Sequence, residues 1–281
     1  MSVDSTPKPT LIGAKSITSR PWTKARFVTW LTLISLLVVT FYSFLNFDYK
    51  EISLLEGIAA TAQNVKVMFT EAHFSHFTFG EALYQVLVTL GLAALTTLFG
   101  AVIALFLALF AARNLSSSRI FSNAIKGIVA FIRAVPTVLW VLIFAVAAGL
   151  GSVAAVIGMT FHTVGYLIKA YSESFEEIDQ GVLEALRGSG AGWWQIIFQA
   201  VLPSSITYLV SWTFLRFEIN FGVAVAMGAA AGAGGIGFDM FMASGFYFDL
   251  REVGTITYFI LFFAILLEIV ATRIKTHLNI K

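Results

Sequence analysis

The chain has 281 residues, of which 58% are hydrophobic and only 12% carry a charged side chain. Soluble domains carry about 25% charged residues, so this composition excludes a water-facing fold. The chain contains no cysteine, which excludes disulfides and cysteine-based metal sites. The composition therefore predicts an all-α, polytopic membrane protein.

Six membrane-spanning helices are predicted from the apolar runs. A polar tail at 1–26 precedes the uncharged run 27–47, which is long enough to cross a hydrocarbon core of about 30 Å. An outer segment at 48–80 follows and has the character of a short amphipathic cap. The other spans are predicted at 82–112, at two helices that share 134–168 and meet in a turn at 149–151, after Pro203, and at 254–272.

Lysine and arginine residues predict the orientation of these spans. Fourteen of them fall on one side: Lys8, Lys15, Arg20, Lys24, Arg26, Arg113, Arg119, Lys126, Arg133, Lys169, Arg187, Arg273, Lys275 and Lys281. The other side has only Lys50, Lys66 and Arg251, and Arg216 lies within a span. Both termini are therefore expected in the cytoplasm, with the chain in the inner membrane.

The cytoplasmic segment 172–203 is longer than a connection between two spans requires. Ser174 and Glu177 have the spacing of a capping box, and apolar residues recur at helical spacing after them. Glycines at 188, 190 and 192 interrupt this helix, and a second amphipathic piece ends at Pro203. The pattern predicts either a structured platform of two short helices or a connector without a partner, and connectors of 2–8 residues are usual.

The same segment resembles the cytoplasmic loop of permeases in bacterial ATP-binding cassette importers. Glu184, Ala185, Gly190, Leu202 and Pro203 match the spacing of that loop motif. Leu186 stands where that family has a second alanine, and Ala200 where it usually has isoleucine. The resemblance implies a coupling helix that docks on an ATPase subunit, and the residues assigned to it are Glu184, Ala185, Leu186, Gly188, Gly190 and Pro203.

Further motifs resemble the phosphonate-importer branch of these permeases. They are RAVP at 133–136, TVGYLIKAYSESFEEID at 163–179, RFEIN at 216–220 and GAGGIG at 232–237. The resemblance implies a transmembrane domain at 81–275. Thr137 replaces the acidic residue usual after the RxxP proline, and Gly222 replaces a second arginine. The substrate therefore stays open between phosphonate, phosphite, another oxyanion and another small solute such as an amino acid.

Three polar residues of the fifth span are candidates for the substrate pathway: Arg216, Glu218 and Asn220. A charge within a span costs about 2.5–3.5 kcal/mol on insertion scales. Arg216 and Glu218 are two residues apart, so they point about 200° from each other on a helix and need separate partners. Two alternatives are open: a structural ion pair with a neighbouring helix, for which Glu268 in the sixth span and Arg133 at the third are possible partners, or a pathway arginine that attracts an anion.

Other polar and glycine-rich features are weaker signals. The glycines of 228–237 match GxGxxG, but membrane-helix flanks exclude a dinucleotide fold and leave close helix packing or an outer re-entrant turn. No phosphate-binding GxxxxGK[ST] loop is present, so ATP hydrolysis is expected on a separate subunit. His73 and His76 lack an identified third ligand, and neither a metal nor a cofactor is expected. His162 is expected to be hydrogen-bonded within the structure.

Together these features predict the permease subunit of an ATP-driven importer that carries phosphonate or a related phosphorus oxyanion inward and catalyses no reaction itself. The resemblance implies ATPase subunits, an extracytoplasmic solute-binding protein and a second permease copy as partners, beside membrane lipid and without nucleic acid. The alternative from another class is a self-sufficient channel or secondary transporter. Such proteins often show internal repeats, and no convincing repeat is found here.

Overall fold

The computed structural model describes residues 23–46 and 53–277, which contain helices and no strand. The tail predicted at 1–26 thus lies outside the described residues except for its last four. The helices are α1 (Lys24–Leu45), α2 (Leu54–Thr70), α3 (Phe79–Ala111), α4 (Arg119–Ala134), α5 (Thr137–Ala148), α6 (Ser152–Glu176), α7 (Gln180–Gly188), α8 (Trp193–Ile196), α9 (Leu202–Ala231), α10 (Ile236–Phe241) and α11 (Leu250–His277). The chain divides into two compact units between Ala59 and Ala60, with α1 in the first and α3–α11 in the second.

Five of the described helical segments are long and apolar enough to cross a membrane. They comprise α1, α3, α6, the continuous stretch Trp193–Ala231 and Leu250–Ile274 of α11. The number becomes six when α4 and α5, which meet at 91°, are counted as one bent span. The prediction of an all-α membrane protein is confirmed. The six spans predicted from the sequence match the count in which α4 and α5 form one bent span.

The third span differs from its prediction because proline bends it. Val135 is extended before Pro136, as is usual for a residue preceding proline, and the chain turns between α4 and α5. Trp140 Nε1 donates to the Ile132 carbonyl at 2.9 Å across the corner. With 12 residues, α5 is about 18 Å long and cannot cross the core alone. The predicted turn at 149–151 is present, with φ of +79° at Gly149 and +137° at Gly151.

Small residues bring α6 close to its neighbours. A Cβ at Gly100 of α3 would lie 2.4 Å from the Thr163 side chain of α6. A Cβ at Gly158 would lie 2.6 Å from the Val141 backbone of α5. Van der Waals packing at small side chains is the usual way membrane helices associate. The central helix α6 therefore fixes the positions of α3 and α5.

The segment before the fifth span departs from the sequence prediction in two ways. Ser174 does not cap a helix, because α6 continues through it and its hydroxyl donates to the Ala170 carbonyl at 3.0 Å. The cap of α7 is Asp179, whose carboxylate accepts from the Gly181 amide at 2.7 Å. Pro203 does not end a helix either. A π-helical turn at Ile197–Val201 joins α8 to α9 directly and accommodates the missing proline amide.

The glycine-rich segment reverses the chain between α9 and α10. Gly232, Gly234 and Gly235 all have positive φ, between +63° and +80°. A Cβ at Gly237 would lie 1.8 Å from the Val225 carbonyl oxygen, so α10 packs directly on the backbone of α9. The structure thus contains both features that the sequence offered as alternatives, the turn and the close packing.

Candidate functional site

A buried polar network joins three helices in the middle of the second unit. Arg216 and Asn220 lie one turn apart on α9, and their exposed fractions are 3% and 0%. Arg216 Nε donates to Thr163 Oγ1 of α6 at 3.2 Å, and Asn220 Nδ2 donates to the same oxygen at 3.0 Å. Asn220 Nδ2 also lies 2.8 Å from Thr97 Oγ1 and 3.4 Å from Thr96 Oγ1 of α3. The network fixes both α9 side chains against two other helices.

The Arg216 guanidinium contacts a histidine and a tyrosine ring of α6. Its Nη2 lies 3.0 Å from His162 Nδ1, and its guanidinium carbon lies 5.0 Å from the centre of the Tyr166 ring. No carboxylate of the described residues comes within ion-pair distance of it. Glu268, the sequence candidate for a partner, is exposed on α11. The structural ion pair considered from the sequence is therefore not found in the described part of the chain.

Glu218 lies apart from this network. It is half-buried on α9, and within 23–46 and 53–277 its carboxylate has no hydrogen bond or ion pair. The structure thus brings together two of the three predicted pathway residues. Sequence reasoning missed Thr96, Thr97 and Thr163 as their partners. Two features of the sequence could have indicated them. Thr96 and Thr97 are adjacent polar residues in an otherwise apolar run, and Thr163 is the first residue of the TVGY motif.

The predicted coupling segment contains a helix that ends in a Schellman motif. The Ala191 amide donates to the Leu186 carbonyl at 3.0 Å, and the Gly190 amide to the Arg187 carbonyl at 3.0 Å. Gly190 has φ of +84°, the left-handed conformation that this motif requires. Leu186 and Ala191 pack on one hydrophobic core cluster. Gly190 therefore stops the helix, and the apolar contact fixes the chain direction after it.

One face of α7 is anchored and the other is free. Leu183 is fully buried in a cluster with Phe175, Ile196 and Ile197, at the base of the helices that form the polar network. Glu184, Ala185 and Gly188 are exposed and lie on the opposite side, and we call them the α7 ridge. Pro203 is exposed in the first turn of α9. A force applied to the ridge would act on the core through Leu183.

A third cluster ties the loop before α3 to the start of α11. Glu252 is fully buried, and its Oε1 accepts the amides of Ser75, His76 and Phe77 at 2.7–3.0 Å. Its Oε2 lies 2.8 Å from His76 Nδ1. Burial raises the pKa of Asp249, but hydrogen bonds from the Ser75 hydroxyl and nearby amides outweigh it, so this pKa lies below its usual range. We call this cluster the loop latch.

The loop latch supplies potential metal ligands that the sequence did not reveal. One atom each of His76, Asp249 and Glu252 can lie within 4.8 Å of the others. However, the Glu252 oxygens already accept hydrogen bonds from three amides and the His76 ring. These hydrogen bonds explain why the side chains lie together, because they hold the 75–77 loop in place.

The chain resembles membrane components of transport systems. A family model described as "Binding-protein-dependent transport system inner membrane component" matches residues 100–281. A phosphate-import permease protein of Mycolicibacterium smegmatis is 32% identical over 178 residues, which are 63% of this chain and 33% of that protein. A phosphite transport system permease protein of Stutzerimonas stutzeri is 31% identical over 189 residues, 67% of this chain and 68% of that protein.

Solved structures share the fold. An inward-facing MetNI methionine ABC transporter aligns with a TM-score of 0.64 and 22% identity, over 73% of this chain and 99% of that chain. An ABC transporter that imports alginate aligns with a TM-score of 0.61 and 14% identity, over 90% and 98% of the two chains. These matches and the family model confirm the resemblance that the cytoplasmic loop and the phosphonate-branch motifs indicated. The chain belongs to the family of binding-protein-dependent transport system inner membrane components.

Proposed function

We propose that this chain is the membrane subunit of an ATP-driven importer that carries a phosphorus oxyanion into the cell. The relatives named for phosphate and phosphite transport support this substrate class. The chain spans only about a third of the mycobacterial relative, so the activity is argued from the site. Membership of a binding-protein-dependent family argues against a self-sufficient channel or carrier.

The buried charge of Arg216 is the observation that carries the proposal. A guanidinium in a membrane bundle is costly, and such residues usually pair or line a polar pathway. Here hydrogen bonds to Thr163 and His162 position the group without neutralising it. An oxyanion entering the bundle would supply the missing countercharge through charge-assisted hydrogen bonds. Asn220 on the next turn of α9 adds a neutral polar group on the same face.

The α7 ridge is the proposed contact with the ATPase subunit. Its small exposed side chains allow close docking, and Glu184 can pair with a basic group in a groove. Because Leu183 joins α7 to the core cluster, a push on the ridge would move the base of α3, α6 and α9 together. We assign membrane transport to the transmembrane domain at 81–275 and contact with the ATPase to the coupling loop at 172–203. Leu186 packs this loop on the core cluster, and Pro203 stands where the loop enters α9.

The orientation and the other partners complete the proposal. Arg113, Arg119 and Arg187 lie at the end of the bundle where α3 stops, whereas Arg251 pairs with Glu71 near its start. By the positive-inside rule we infer that the α7 ridge faces the cytoplasm, and the basic residues near the two ends of the sequence support the same side for both termini. An extracytoplasmic solute-binding protein would deliver the substrate at the other face, a second copy of the chain would complete the pathway, and lipid would surround both.

Uptake by cells that express the permease with its ATPase and solute-binding protein tests the role of Arg216. We expect Arg216→Gln to reduce uptake of methylphosphonate, phosphite or phosphate by about tenfold or more, because one charge-assisted hydrogen bond contributes about 1.5–3 kcal/mol. Arg216→Lys should retain part of the uptake. Arg273→Gln, which removes an exposed charge on α11, is the matched control.

Membrane abundance of each variant, measured in the same cells, separates transport from folding. Normal abundance with lost uptake supports a pathway role. Loss of the Arg216→Gln protein from the membrane would instead assign the arginine to the structure, and unchanged uptake would refute the proposal. Competition by excess methionine but not by phosphonate would redirect the substrate to an amino acid.

A further inference from the structure

A polar groove beside α7 gathers three arginines. It has a volume of about 820 Å³, and we call it the basic groove. Its lining residues are Arg113, Asn114, Ser116, Arg119, Asn123, Gln180 and Arg187. They come from the turn after α3, the start of α4 and one flank of α7. This volume is within the range of small-molecule sites and admits an oxyanion with an organic substituent.

None of the described residues that line the groove carries a carboxylate, and two acidic residues close to it in the chain, Glu176 and Asp179, already have hydrogen-bond partners. Glu176 Oε1 accepts from Lys126 Nζ at 2.6 Å and from the Arg113 amide at 2.7 Å. Asp179 caps α7 through the Gly181 amide. Among the described residues, no carboxylate lies within ion-pair distance of the three guanidinium groups of the groove. The three guanidinium groups are therefore available to an anionic ligand.

The groove is also held in shape. Arg187 Nη2 donates to the Asn114 carbonyl at 2.7 Å, and Asn114 Nδ2 donates to the Phe175 carbonyl at 2.7 Å. Trp193 Nε1 donates to the Leu115 carbonyl at 2.9 Å. The turn after α3 is thus tied to α6, α7 and α8. These contacts fix the backbone turn that carries Arg113 and the position of the Arg187 guanidinium, which reduces part of the ordering cost of binding a ligand.

One side chain that lines the groove has a polar atom without a partner among the described residues. Asn114 Oδ1 is buried and accepts no hydrogen bond there, whereas Nδ2 of the same side chain donates to the Phe175 carbonyl. A buried acceptor without a donor is costly, so a ligand that donates there is favoured. Hydrogen phosphate and hydrogen phosphonates carry a P–OH donor near neutral pH, whereas sulfate carries none.

We propose that the basic groove binds a phosphoryl oxyanion, with the guanidinium groups on its anionic oxygens and Asn114 Oδ1 accepting from its hydroxyl. The placement of the groove in the cytoplasm rests on the proposed function. Two sources share this chemistry, the phosphomonoester headgroup of phosphatidic acid and a free phosphate or phosphonate. Because Arg187 and Gln180 belong to α7, an occupied groove would stiffen the helix that carries the α7 ridge.

Binding to the full-length permease alone tests the proposal, without the ATPase or the solute-binding protein. The chain is placed in phosphatidylcholine nanodiscs and titrated calorimetrically with inorganic phosphate, methylphosphonate and sulfate. We expect the Kd for phosphate to rise about tenfold or more in Arg113→Gln and in Arg119→Gln. These side chains make no described contact that holds the fold, and Arg273→Gln is the charge-matched control.

Nanodiscs that contain phosphatidic acid separate the two sources. If the headgroup is the ligand, this lipid co-purifies with the wild-type chain, is lost from Arg113→Gln and Arg119→Gln, and blocks titration by phosphate. Free phosphate that binds with or without this lipid identifies the soluble ligand. The proposal would be overturned if neither ligand bound in either kind of nanodisc, or if Arg273→Gln raised the Kd as much as Arg113→Gln and Arg119→Gln do. Sulfate binding as tight as phosphate binding would also overturn it. None of these outcomes depends on import, so a failed transport assay would not decide them.

Discussion

Replacing Gly190 by alanine should loosen the end of α7 through the backbone alone. A Cβ at Gly190 would meet no atom within 4 Å, so no clash contributes. The cost comes from φ of +84°, and the left-handed conformation costs an alanine about 1–2 kcal/mol. This free energy corresponds to a factor of about 5–30 in the local opening equilibrium.

Hydrogen exchange on the purified permease measures this opening. The amides of Gly190 and Ala191 close the Schellman motif, so we expect exchange in peptides covering 186–191 to accelerate about 5–30-fold in Gly190→Ala. Gly188→Ala is the matched control, because it adds the same methyl group to an exposed helical glycine with free space and no positive φ. Gly190→Asn should fall between the two, since asparagine tolerates this conformation better than alanine.

The reasoning also predicts a functional consequence. ATP hydrolysis stimulated by loaded solute-binding protein should weaken more in Gly190→Ala than in Gly188→Ala, which adds bulk to the α7 ridge without straining the end of the helix. Wild-type exchange in Gly190→Ala would refute the backbone argument. Equal losses in the two alanine variants would show that added bulk on this surface matters and that the sign of φ does not.

Three further predictions concern packing, the loop latch and the α7 ridge. Gly237→Ala should destabilise the protein by about 1–3 kcal/mol, because its Cβ would lie 1.8 Å from a carbonyl oxygen of α9. Gly222→Ala is the control, since a Cβ there has free space. Thermal unfolding in detergent compares the stability of the two variants. Glu252→Gln replaces a fully buried acceptor of three amides, so the melting temperature should fall and proteolysis of the 71–78 loop should speed up. Glu184→Lys should lower co-purification of the ATPase. Glu177→Lys, a matched charge change outside the ridge, should leave it unchanged. Equal retention of the ATPase by both variants would show that the ridge is only a connector.

The sequence determined the features that follow from local chemistry. Apolar runs longer than the hydrocarbon core predicted the helices that cross it, and Gly149 and Gly151 marked a turn that positive φ then explained. The spacing of Glu184 to Pro203 identified the family before any comparison. Arg216 and Asn220 were evident as polar residues because an apolar background makes them conspicuous. Each of these inferences depends on the residue itself or on its immediate neighbours.

Only the tertiary structure decided how distant residues combine. The 91° bend at Pro136 and the π-helical turn before Pro203 are two outcomes for the same residue type, and surrounding packing selects between them. Among the described residues, the Arg216 guanidinium meets His162, Thr163 and Tyr166 of α6, which are 50 or more residues away in sequence, and no carboxylate. Likewise, Glu252 meets the 75–77 loop at a separation of more than 170 residues. Contacts of this length depend on how the helices pack, and residue spacing along the chain carries no record of them.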